Sequence, residues 1–94
     1  MNTLLLHHHL GLGDHFICNG LVNHLAEQHD RLYLPSKRKN LGTVTSLYSE
    51  EPRVHVFPVD DEFADVAAFQ RRMACPILKV GFEHCDRGRF DESF

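Results

Sequence analysis

Apolar and polar positions alternate in blocks along the chain, and the blocks switch between two periods. Thr3 to His8 is an apolar run bounded by a Gly-containing segment, which predicts a buried strand. Asp14 to His29 carries the clearest helical period. At 100° per residue Ile17, Cys18, Leu21, Val22 and Leu25 share one arc, with Asn19, Asn23 and Glu27 opposite. Arg31 to Leu34 predicts a second strand stopped by Pro35. Leu41 to Tyr48 predicts a weaker helix, with Leu41, Val44, Leu47 and Tyr48 on one side and Gly42 and two Thr lowering its propensity. Val54 to Val59 predicts a third strand. Asp60 and Asp61 then cap a helix to about Met73, with Phe63, Val66 and Ala67 facing inward, and Pro76 to Val80 predicts a fourth strand. Residues 81–94 mix charge, Gly and aromatics and read as irregular.

Strands alternating with helices over short connections imply crossovers and a parallel sheet covered by helices. The predicted fold is therefore α/β, a single Rossmann-like three-layer half-domain over residues 1–94 with three to four parallel strands. Doubly wound domains usually carry five or six strands, so the sheet reads as incomplete. Strands missing from it would leave apolar surface near Phe82, Phe90 and Phe94 uncovered, an invitation to self-association.

Composition narrows the function classes. The chain has 94 residues, 43% hydrophobic and 24% charged, ordinary values for a small globular domain. A net charge of -3 with His neutral argues against a nucleic-acid partner, which calls for a basic footprint. No apolar run approaches the ~20 residues of a membrane helix. The start lacks the basic region of a signal peptide. Cys18, Cys75 and Cys85 form no CxxC pair and read as free thiols. These features together predict a cytoplasmic protein.

In an open parallel sheet ligands bind beyond the carboxyl ends of the strands, which nominates the loops there. The first, His9 to Asp14, holds Gly11 and Gly13. Their backbone amides can meet an anion or a hydroxyl, or simply form a tight strand-to-helix turn. A dinucleotide fingerprint needs a small residue where Phe16 stands, and the Gly-Lys-Ser/Thr of a Walker loop is absent. Asp14 is either a helix-capping carboxylate or a general base at the mouth of the sheet. Lys37-Arg38-Lys39 follows the second strand, where it suits a phosphate or an acidic group, or is a solvated face. The consecutive His7, His8 and His9 are poorly arranged for metal, since neighbouring strand residues point to opposite faces and only His7 and His9 could share one. His84-Cys85 follows no zinc spacing. No metal and no cofactor are expected.

The stretch Leu10-Gly11-Leu12-Gly13-Asp14-His15-Phe16-Ile17-Cys18-Asn19-Gly20-Leu21 resembles the opening of GT-B-fold glycosyltransferases related to the bacterial heptosyltransferases. The order continues with a strand ending at Pro35, a helix near Tyr48, and Pro52-Arg53-Val54 leading a strand. Arg89 to Phe94 resembles the segment beside the acceptor in such enzymes. The match follows most of the chain and is dense only in the first loop and helix. It implies the acceptor-side N-terminal portion of a nucleotide-sugar-dependent glycosyltransferase, truncated and inactive alone, whose nucleotide sugar would bind a C-terminal domain missing here. Asp14 would be the base. His9, Gly11 and Gly13 would shape the site for a glycan or other sugar acceptor, and Lys37 and Arg38 would meet an acidic one. The competing expectation is a non-catalytic Rossmann-like binding or interaction module. One version binds a phosphorylated nucleotide such as NADP through Lys37 and Arg38, and Phe16 speaks against it.

Overall fold

The computed structural model describes residues 2–80. The elements run β1 (Thr3–His7), α1 (Leu12–Ile17), α2 (Asn19–Glu27), β2 (Arg31–Lys37), a 3₁₀ turn (Arg38–Asn40), α3 (Leu41–Leu47), β3 (Val54–Val59), α4 (Glu62–Met73) and β4 (Ile77–Lys79). All four strands are parallel, in the order β3-β2-β1-β4. This is the expected α/β arrangement, a helix-flanked parallel sheet consistent with a Rossmann-like half-domain.

Strand alternation sorts the core into two layers. Leu4 and Leu6 of β1, Leu32 and Leu34 of β2 and Val54 of β3 pack with Val22 and Ala26 of α2 and with Val44 and Tyr48 on and just after α3. On the opposite face Leu5, Tyr33 and Val59 meet Val66 of α4, with Leu10 and Cys75. The chain therefore winds from β1 to β2 to β3 over one face. It then returns through α4 across the other face to place β4 beside β1. Winding direction reverses at β1, so the crevice between the carboxyl ends of β1 and β4 is the topological switch point of the sheet. His7 and Lys79 are register partners there.

Several local expectations are corrected. Pro35 does not stop the second strand, which runs on to Lys37 with Pro35 paired to Phe57. The amide of Leu32 donates to Arg53 at the β3 edge (2.7 Å), so by alternation the nitrogen of Pro35 faces β1. Pairing with β1 ends at Tyr33, so no ladder bond is lost there. The helix expected over 14–29 is two, broken at Cys18 (φ −86°, ψ 2°), just before the poor helix formers Asn19 and Gly20.

Ile17, expected inside, is 78% exposed. The buried residues are Val22 and Ala26 on α2 and His15 on α1; within α1, Ile17 lies about 160° round the helix from His15 and so faces away from the sheet. His15 is fully buried in its place. Phe63, also expected inside, is 60% exposed: it sits on the first turn of α4, with its ring edge-on to the last β1 residue, His7 (5.5 Å between centroids). Val66, one turn on, is buried as expected. Phe82, Phe90, Phe94, Cys85, His84 and the segment Arg89 to Phe94 lie outside the described residues.

Asp61 caps α4, accepting from the amide of Ala64 (3.4 Å). Asp65 reaches back to accept from the amides of Asp60 (2.8 Å) and Asp61 (3.0 Å), closing the loop after β3. Among the described residues no helix is long and apolar enough to cross a membrane.

Candidate functional site

The three consecutive histidines leave β1 in alternate directions, and each meets a different neighbour. His7 points to the α4 face, where its Nε2 donates to Oε2 of Glu62 at 2.8 Å. His8 points to the opposite face and lies edge to face with His15 of α1, with centroids 4.5 Å apart. Its Nδ1 donates to the carbonyl of His9. His9 is half-buried at the start of the loop.

His7, His8 and His15 are all buried. Burial pushes each of these imidazoles below the usual histidine value. For His15 the proximity of His8 adds to it and the result is about 4. Glu62 opposes the shift of His7, and the His9 carbonyl and Asp14 oppose that of His8. At neutral pH the His7–Glu62 contact is thus a neutral N–H donating to a carboxylate. Among the described residues Nε2 of His8 and both ring nitrogens of His15 have no hydrogen-bond partner. That is an uncommon liability for a buried imidazole.

The first loop departs from the capping expectation for Asp14. The N-cap of α1 is Gly11, which offers no side chain, and Asp14 is the third helical residue. The amides of Asp14 (3.0 Å) and His15 (3.2 Å) bond the Gly11 carbonyl, closing the turn through backbone alone. The Asp14 carboxylate is half-buried, and no described residue hydrogen-bonds it. It leans over Gly11: a Cβ there would lie 2.9 Å from Asp14 Oδ2, so the missing side chain gives the carboxylate its room. A Cβ on Gly13 would meet nothing within 4 Å.

The basic run divides. Lys37 is exposed at the end of β2. Arg38 is held by Asp60, the residue after β3, through Nε–Oδ1 (3.0 Å) and a second guanidinium nitrogen to Oδ2 (3.1 Å). The guanidinium holds the Asp60 carboxyl below the usual carboxylate range. Both groups are exposed, so the pair opens readily to an incoming anion. Burial raises the thiols of Cys18 and Cys75, so neither is an activated nucleophile. Among the described residues no three His, Cys, Asp or Glu converge as a metal-ligand set.

Sequence reasoning missed Glu62, His15 and Lys79. Glu62 and Lys79 join the site only through non-local pairing, and the one available clue to His15 was that it lies opposite Ile17 on the first helix. The fold is consistent with a Rossmann-like half-domain, and this polar mouth lies at the carboxyl end of its sheet. No protein-family model, curated protein or solved structure matches the chain.

Proposed function

We propose that this chain is the acceptor-side portion of a nucleotide-sugar-dependent glycosyltransferase in which Asp14 is the general base. The observation that supports the reading is the state of Asp14. It stands at the carboxyl end of β1, half-buried, uncommitted to helix capping and clear of hydrogen bonds from described residues. A carboxylate so placed is able to accept the proton of an acceptor hydroxyl as that oxygen attacks the anomeric carbon of the donor. The anomeric carbon–phosphate oxygen bond breaks, and the nucleotide diphosphate leaves with the bonding pair.

His9, Gly11 and Gly13 line the acceptor side. Lys37 attracts an acidic acceptor, and Arg38 joins it by exchanging Asp60 for the ligand. The donor belongs to a second domain, to which Leu12, Phe16 and Ile17, exposed on α1, offer an apolar face. A non-catalytic small-molecule binding module is the second reading. It is favoured by a crevice beside His7 that Asp14 does not line.

Transfer kinetics on the complete two-domain enzyme separate the two. Asp14→Asn is expected to leave folding and acceptor affinity intact and to cut turnover by roughly 10²–10⁴, the usual worth of a general base. Unchanged turnover removes Asp14 as base and leaves the binding module.

A further inference from the structure

The switch-point crevice is a cavity of about 120 Å³ between the α4 face and the β1–β4 pair, lined by His7, Phe63, Val66, Ala67, Gln70, Ile77 and Lys79. Its construction follows from two periods. Residues 63, 66, 67 and 70 form one stripe of α4. His7 and Lys79 are register partners, as are Leu5 and Ile77 one step earlier, so His7, Ile77 and Lys79 face α4 together.

The polar groups are unequal. Glu62 holds His7 at 2.8 Å, placing a carboxylate at one side. The amide nitrogen of Gln70 donates to the carbonyl of Cys75 (3.2 Å). Lys79 is exposed and has no ion-pair partner among the described residues. One ammonium at the mouth, apolar walls from Val66, Ala67 and Ile77, and a resident carboxylate beyond His7 select among ligands. They favour a single negative charge on an apolar body, and they disfavour a dianion, which would face Glu62 with only one cation to balance it.

The larger hollow, about 340 Å³ beside Phe57 and Phe69, is less suited. Its acid, Asp65, is already bonded to two backbone amides, and its base, Arg72, lies over the Phe69 ring at 5.2 Å.

We propose that the crevice between β1, β4 and α4 binds a small aliphatic monocarboxylate, with its carboxylate on Lys79 and its chain against Val66, Ala67 and Ile77. At about 30 Å³ per water the volume corresponds to roughly four waters, room for a short aliphatic acid such as a four-carbon one. The site does not use Asp14, so it stands or falls separately from the transferase reading.

The test is an NMR titration of the full chain with butyrate, with phosphate at equal ionic strength as the control. Butyrate is expected to give saturable shifts centred on Phe63, Ala67, Ile77 and Lys79, and phosphate is expected to bind more weakly. Lys79→Met, an exposed change that leaves the dispersed spectrum intact, weakens butyrate about tenfold, the worth of one charge-assisted contact. Ala67→Leu fills the crevice and abolishes saturation. Shifts that grow linearly without saturating, that survive both substitutions, or that follow phosphate as strongly as butyrate overturn the proposal.

Discussion

Acidification should unfold this domain through His15 more than through any exposed group, and His15→Leu should remove that sensitivity. His15 is fully buried, with neither ring nitrogen hydrogen-bonded among the described residues, and its value is pushed down to about 4 by burial and by His8. In the unfolded chain the ring titrates near its ordinary value of about 6.5. Between those two values the unfolded state binds the extra proton, so stability is fully present above about pH 6.5 and falls as pH drops toward 4. The loss from this one ring is about 2 kcal/mol by pH 5 and about 3 kcal/mol by pH 4. For a domain of this size the pH 5 figure corresponds to about 8–16 °C in Tm. His8 is shifted in the same direction and adds to the loss, while Asp14 opposes it in both rings. The assay is thermal unfolding followed by circular dichroism from pH 7.5 to pH 5, on the parent and on His15→Leu. Leucine has similar bulk and brings no polar atoms, so at pH 7.5 the variant should be at least as stable as the parent. Its Tm should fall less on acidification, by roughly the 8–16 °C assigned to the imidazole. Equal pH slopes in the two proteins would refute the argument, since the carboxylates common to both would then account for the acid response.

Two further changes test the backbone and the caps. Ala74, which ends α4, has φ 53°, a left-handed conformation that costs a side-chain-bearing residue about 1 kcal/mol, so Ala74→Gly should raise the urea midpoint with an unchanged m-value. Asp61→Ala should lose about 1 kcal/mol in chemical denaturation as the α4 cap is removed, whereas Asp61→Asn should keep most of it.

The sheet was legible because its strands are the densest apolar runs in the chain. Leu4-Leu5-Leu6, Leu32 to Leu34 and Val54 to Val59 all lie in strands. The α4 cap was legible because capping is local, with Asp61 three residues before the amide it serves. Where the reading failed, a residue-type rule met a tertiary fact. Pro35 reads as a strand stop, yet it sits where the neighbouring strand has already ended its pairing. Ile17 reads as core by type, but a helix buries the side that faces the sheet, and that side belongs to Val22, Ala26 and His15. Of the readings open for Asp14, the cap is the one the structure excludes: Gly11 occupies that position, and Asp14 stands in the first turn with its carboxylate projecting over it.

The histidine triplet shows why a site of this kind resists reading from a single chain. Strand alternation alone says that His7 and His8 must diverge, and they do. It does not say what waits on each side. On one side α4, arriving across the whole sheet from β3, brings Glu62 to His7 over a separation of 55 residues. On the other, the short α1 turns His15 onto His8. The first partner is set by topology, since the reversal of winding at β1 puts the first turn of α4 and the register partner Lys79 beside the same strand end, whereas the second comes from the helix that directly follows β1. The same run of three identical residues thus yields a carboxylate-held imidazole at a crevice, a buried imidazole edge to face with His15 with one ring nitrogen unpartnered among the described residues, and a half-buried loop residue. The first is suited to binding and the second to sensing acid, and the difference between them lies in what each face of the sheet meets, a distant helix on one side and the adjacent one on the other.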